Sequence, residues 1–113
     1  MKATATINGH TFHTSIAAEG HQLTADEPAD KGGQNAGPTA LQLLAAALGA
    51  CTAATLRSYA NLKEIKLDKV EVEVDVERRK PTEQVDGAKA TVVRKKITLN
   101  GDFTDEQRER MLQ

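Results

Sequence analysis

The run Lys69–Glu77, KVEVEVDVE, alternates without a break: Val70, Val72, Val74 and Val76 fall on one side, Glu71, Glu73, Asp75 and Glu77 on the other. A period of two predicts a half-buried strand. A second strand is predicted in ATVVRKKITLNG, residues 90–101, with Val93, Ile97 and Leu99 on one face and Arg94 and Lys96 on the other. The two are expected to pair as a hairpin across a loop that holds Pro81 and Asp86-Gly87. Acids on one strand then meet bases on the next, each contact contributing about 0.2–1 kcal/mol. Such charges read as a solvated face, because exposed ion pairs are common and weak.

Earlier in the chain, ATATINGHTFHTSI reads as two short strands around Asn8-Gly9, a dipeptide suited to a type I′ hairpin turn. EGHQLTAD adds a third strand after Glu19-Gly20, which makes an antiparallel meander. Asp26 to Thr39 has two prolines, three glycines and no periodicity, and is expected to be loop. Its glycines lack the Gly-Lys-Ser/Thr ending of a phosphate-binding loop.

From Pro38 to about Asn61 the spacing predicts a long helix. Thr39 and Gln42 fit a capping box. Leu41, Leu44, Ala45, Leu48, Thr52, Thr55, Leu56 and Tyr59 recur at intervals of three and four, yet Ala46, Ala47, Ala50, Ala53 and Ala54 make the other faces apolar too. A helix that is hydrophobic all round is expected to be buried on most sides, here by a sheet on one side and a second subunit on another. Thr104 and Gln107 form a second capping box, and the helix it opens has barely begun at Gln113. A helix this short is marginal alone, so the natural chain is expected to continue beyond it.

Composition sharpens this picture. With 113 residues the chain reads as one domain with a modest core. Phe12, Tyr59 and Phe103 are the whole aromatic inventory, too few large side chains to close a core unaided, which again favours a dimer. The net charge of −1 points to neither nucleic acid nor an anionic membrane. Residues 1–56 hold Lys2 and Lys31 as their only cations and no arginine. The N-terminus has no apolar run behind its lysine, and the alanine-rich helix carries Gln42 and threonines, so neither a signal peptide nor a membrane span is expected. A single cysteine without an export signal fits the reducing cytoplasm.

That cysteine, Cys51, lies in LLAAALGACTAATL. A free cysteine in an apolar helix is commonly inert core. As a reagent it must be a thiolate, since the neutral thiol attacks peroxides poorly. Its place three turns into the helix is beyond the reach of the helix dipole, and Arg57 falls on nearly the opposite face. A cation would have to come from a folded-back segment or a partner. His10 and His13, three apart on a predicted strand, point to opposite faces, and His21 lies elsewhere, so no metal site is expected. No cofactor is expected either.

Residues 26–60, DEPADKGGQNAGPTALQLLAAALGACTAATLRSYA, resemble the OsmC/Ohr superfamily, in particular its OsmC-like branch; the resemblance rests on Gly37-Pro38 followed by Leu48-Gly49-Ala50-Cys51-Thr52. It implies an α+β fold, with antiparallel sheets around a long buried helix in an intertwined homodimer. Residues 1–113 would be a single domain of this type lacking the C-terminal part. The best-understood members reduce organic hydroperoxides. Their helix cysteine becomes a sulfenic acid, a second cysteine resolves it, and lipoyl-type dithiols reduce the disulfide. Cys51 matches the attacking position. The other parts do not match: the proline and glutamate that begin the helix in the peroxidases are Ala40 and Leu41 here, the next position is Gln42, and no arginine precedes Arg57.

Two functions follow as expectations. One is a dimeric, cytoplasmic, thiol-dependent peroxidase that takes an organic hydroperoxide and a dithiol, with Cys51 as nucleophile. The other is a non-catalytic dimer that binds a small apolar ligand at the subunit interface, in a pocket lined by Leu41, Gln42, Leu44, Leu48 and Cys51.

Overall fold

The computed structural model describes residues 1–78 and 91–113. The expected hairpin loop with Pro81 and Asp86-Gly87 lies outside the described residues. The chain divides into two compact units, Met1–Leu44 and Ala45–Gln113.

The first unit is the meander. Strands β1 (Ala3–Ile7), β2 (Thr14–Ala18) and β3 (His21–Ala25) pair antiparallel in the order β1-β2-β3. Ala5 stands opposite Ile16, and Ile16 opposite Leu23. Paired residues share a face, so Ala3, Ala5, Ile7, Ile16, Ala18, Leu23 and Ala25 lie together while Thr4, Thr6, Ser15, Gln22 and Thr24 point the other way. The apolar face is half open: Ile7 is 51% and Leu23 49% exposed.

Of the two turns one is as expected and one is not. Glu19-Gly20 joins β2 to β3 as a two-residue turn with φ of 46° and 92°, the left-handed pair of a type I′ hairpin. Asn8-Gly9 does not make such a turn. Ile7 pairs with Thr14, so the connection runs over Asn8–His13; Gly9 has φ 78°, but Asn8 stays out of the left-handed region. Phe12 therefore leaves the sheet, and its ring lies against Gly32.

The loop after β3 contains one 3₁₀ turn, Ala29–Lys31. Helix α1 then runs from Ala40 to Leu62. Its capping box is formed: the Gln42 N–H donates to Thr39 Oγ1 at 3.1 Å, and the Thr39 N–H donates to Gln42 Oε1 at 2.9 Å.

In the second unit, β4 (Lys66–Arg78) and β5 (Thr91–Asp102) form the expected antiparallel hairpin. Glu73 faces Lys96, and Asp75 faces Arg94. Arg94 Nη1 reaches Glu77 at 3.0 Å and Asp75 at 3.7 Å, all with exposed side chains. The valine face packs on α1. Leu56 and Ala60 of α1 are buried with Ile65, Leu67, Leu99 and Met111 in one cluster, and Tyr59, Val70, Ile97 and Phe103 pack around it. Met111 belongs to α2 (Asp105–Met111), whose Thr104–Gln107 capping box is also formed.

The helix was expected to be covered by a sheet on one side and by a second subunit on another. In this chain it is covered on one: Gly49, Leu56 and Ala60 are buried, whereas Leu44, Ala46, Ala47, Ala50, Cys51 and Ala54 are exposed. By length and composition α1 reaches the size of a membrane span, contrary to the expectation from Gln42 and the threonines; the core helix of a soluble protein has the same makeup. Its C-terminus closes by a Schellman pattern, with Ile65 N–H donating to Ala60 O at 2.8 Å and Glu64 N–H to Asn61 O at 3.3 Å. Glu64 occupies the left-handed position with φ 53°, where glycine is usual.

Two glycines respond oppositely to a methyl group. At Gly49 a Cβ would meet Val74 Cγ2 at 3.4 Å and Val72 O at 3.5 Å, ordinary contact distances. At Gly101, beside the bulge between Leu67 and Lys69, it would collide with the Lys66 carbonyl. Gly49→Ala is therefore expected to stabilise by about 0.5–1 kcal/mol through helix propensity. Gly101→Ala is expected to destabilise by about 1–3 kcal/mol through overpacking. Urea unfolding of both variants checks the pair.

Candidate functional site around Cys51

Which way Cys51 faces follows from helix geometry. Gly49 lies on the β4 side, and two residues at 3.6 per turn place Cys51 about 160° around the axis from it. Cys51 is accordingly exposed, on the side of α1 turned away from the hairpin. Inert core within this chain is thereby excluded as its role. The Cys51 carbonyl accepts from Thr55 Oγ1 at 2.9 Å, and the Leu48 carbonyl accepts from Thr52 Oγ1 at 3.0 Å. Both hydroxyls bond back one turn.

Among the described residues one cation reaches this turn. Lys95 Nζ donates to Thr52 Oγ1 at 3.0 Å, beside the residue that follows Cys51. Lys95 pairs with Val74 across the hairpin and so stands in the apolar row with Val93 and Ile97. The parity of β5 carried this signal: a lysine at an inward position must extend past the sheet to keep its charge in water. Arg57 is engaged elsewhere, with Nη2 donating to Leu67 O at 2.7 Å and Nη1 to Asn61 Oδ1 at 3.5 Å.

Of the expected pocket residues, Leu41 and Leu48 are half-buried while Gln42 and Leu44 are exposed. Leu41, Leu44, Leu48 and Cys51 recur every three or four residues along one side of α1. Gln42 does not join them chemically, because its amide oxygen is held by the Thr39 N–H.

A second polar centre lies in the first unit. Asp26, 4% exposed, is the buried charged residue among those described. Its Oδ1 accepts from Glu27 N–H at 2.8 Å; its Oδ2 accepts from Gln34 and Ala36 N–H, both at 3.2 Å. Its own N–H donates to Pro38 O at 3.0 Å. One residue thus ties both ends of the glycine-rich loop. Burial opposes the charge of Asp26, but the N–H donors of Glu27, Ala36 and Gln34, with His13 nearby, outweigh it and hold its carboxyl below the ordinary value. His10 and His13, expected on opposite faces of a strand, both lie in the β1–β2 connection. With Phe12, Asp26, Gly33 and Gln34 they line a cavity of about 90 Å³. Among the described residues no three His, Cys, Asp or Glu side chains stand together as a metal-ligand set.

Residues 32–113 match the OsmC-like protein family, and the chain belongs to it. No curated protein matches the sequence. Among solved structures, an OsmC-like protein from Mycoplasma pneumoniae is 21% identical with a TM-score of 0.80, over 98% of this chain and 76% of that one. An OsmC-like protein from Vibrio cholerae is 15% identical with a TM-score of 0.74, over 97% and 82% of the two chains. An organic hydroperoxide resistance protein OsmC from Legionella pneumophila is 21% identical with a TM-score of 0.60, over 98% and 77%. At these identities the likeness establishes the α+β OsmC-like fold.

Asp26 links the first unit to pH. The unfolded carboxyl titrates near ~3.9 and the folded one lower, so its contribution is complete above about pH 4 and is lost as pH falls through the folded pKa. Asp26→Asn should lower the urea midpoint at neutral pH and flatten the fall in stability below about pH 4. An acid limb identical to that of the parent chain would show that Asp26 does not hold the loop.

Proposed function

We propose that this protein is a thiol-dependent reductase of organic hydroperoxides, acting as a homodimer in the cytoplasm with Cys51 as nucleophile. The observation that carries this reading is the exposed Cys51 on the open side of α1, at the position where the family places its peroxide-attacking cysteine. The Cys51 thiolate attacks the terminal peroxide oxygen, an S–O bond forms as the O–O bond breaks, and the departing alkoxide takes a proton to become an alcohol. The sulfur is oxidised to a sulfenic acid. In residues 1–113, whose one cysteine is Cys51, an external dithiol would resolve it: one thiol displaces water to form a mixed disulfide, and the second releases Cys51 as the dithiol closes its own disulfide. Lys95 brings a positive charge to this turn, in a chain with no arginine before Arg57.

Dimerisation is supported by the same face. The exposed apolar side of a 23-residue helix and the half-open meander leave more apolar surface in water than a stable monomer usually shows. Leu41, Leu44, Leu48 and Cys51 would line the substrate pocket.

One observation favours the rival reading, a non-catalytic dimer that holds a small apolar ligand. Ala40 and Leu41 replace the proline and glutamate of the peroxidases, and Gln42 is committed to the helix cap. The two readings separate in a turnover assay with cumene hydroperoxide and a dithiol. Catalysis predicts steady consumption by the parent chain and the uncatalysed rate for Cys51→Ser; equal consumption by the two chains would sink it. Static light scattering is expected to give twice the chain mass, and Ala54→Arg on the open face to shift it to one chain mass.

A further inference from the structure

The sequence contains two Asn-Gly dipeptides, Asn8-Gly9 and Asn100-Gly101, and the fold treats them differently. We propose that Asn8 is a site of spontaneous backbone-assisted deamidation and that Asn100 is protected from the same reaction.

The chemistry requires the backbone nitrogen of the glycine to reach the side-chain carbonyl carbon of the asparagine. The glycine N–H loses its proton to solvent base, and its nitrogen forms a bond to Cγ. The Cγ–NH₂ bond breaks, and ammonia leaves with a proton from water. Water then opens the five-membered imide at either carbonyl, which gives aspartate or its backbone-rearranged isomer. No group is oxidised or reduced. The step needs free rotation about the asparagine backbone, and glycine is the least hindered follower because it has no Cβ.

Asn8 meets these conditions. It is exposed, lies outside both β1 and β2, and is followed by an exposed Gly9 in the left-handed region. A Cβ added at Gly9 would meet nothing within 4 Å. Among the described residues neither the Asn8 carboxamide nor the Gly9 N–H has a hydrogen-bond partner. The tight turn that Asn-Gly could make is not made here, so nothing fixes the torsion that must swing.

Asn100 fails them although its side chain is exposed. It sits within β5, paired with Lys69, while Gly101 pairs with Leu67. Gly101 is pressed so closely on β4 that a Cβ would collide with the Lys66 carbonyl. The ladder holds the backbone extended, and the strand must open before the imide can form.

The product matters locally. It adds a carboxylate, and in the rearranged form an extra backbone carbon, to the connection whose Phe12 rests on Gly32 and whose His10 and His13 stand beside Asp26.

The test is peptide-level mass spectrometry of the full chain, aged at mildly alkaline pH and again in concentrated urea. In the folded chain Asn8 should convert on the order of tenfold or more faster than Asn100, since strand opening is rate-limiting there. In urea the two should approach one rate. Equal rates in the folded chain, or Asn100 converting first, overturn the proposal. So does a difference that persists in urea, which would assign the effect to neighbouring residues rather than to the fold.

Discussion

Everything in the second unit depends on burying one line of α1 against the valine face of the β4–β5 hairpin. Neither partner is stable alone: a two-stranded hairpin is marginal in water, and a 23-residue apolar helix without cover exposes too much surface. Together they enclose Leu56, Ala60, Ile65, Leu67, Leu99 and Met111. That packing decides the orientation of Cys51. Because Gly49, Leu56 and Ala60 face inward, helical geometry turns Cys51 outward, and the hairpin that could have entombed it presents it instead.

The first unit rests on a different device. A buried carboxylate, satisfied by three backbone N–H groups, gathers a loop that has no periodicity of its own. A buried charge is costly unless it is well hydrogen-bonded, so the Asp26 cluster is specific: few loop conformations place Glu27, Gln34 and Ala36 around one side chain. Its Pro38 contact then delivers the chain to the cap at Thr39.

The sequence showed the regular parts well because periodicity carries them. Four valines alternating with four acids specified β4, and Thr-x-x-Gln marked both helix starts. What stayed hidden depended on contacts between distant residues. Asp26 looks like any acid in a polar loop until residues eight and ten positions later return to it. Asn8-Gly9 has the composition of a tight turn, but strand register places the turn residues elsewhere. Glu64 closes α1 in a left-handed conformation that glycine would advertise. The cover of α1 was legible only in part. Apolarity on all sides says that a helix seeks cover, and this chain supplies it on one side only. The family resemblance located Cys51, whereas its exposure came from packing.

The central claim is that Cys51 is a reagent. The most direct measurement is single-turnover trapping: equimolar cumene hydroperoxide is added to the reduced chain, followed by a sulfenic-acid-specific reagent and intact mass analysis. The account predicts one trapped adduct per chain, located at Cys51 and formed faster with the organic peroxide than with hydrogen peroxide. A chain that remains fully reduced, with its thiol open to alkylation, would contradict it and leave an exposed cysteine without peroxide chemistry.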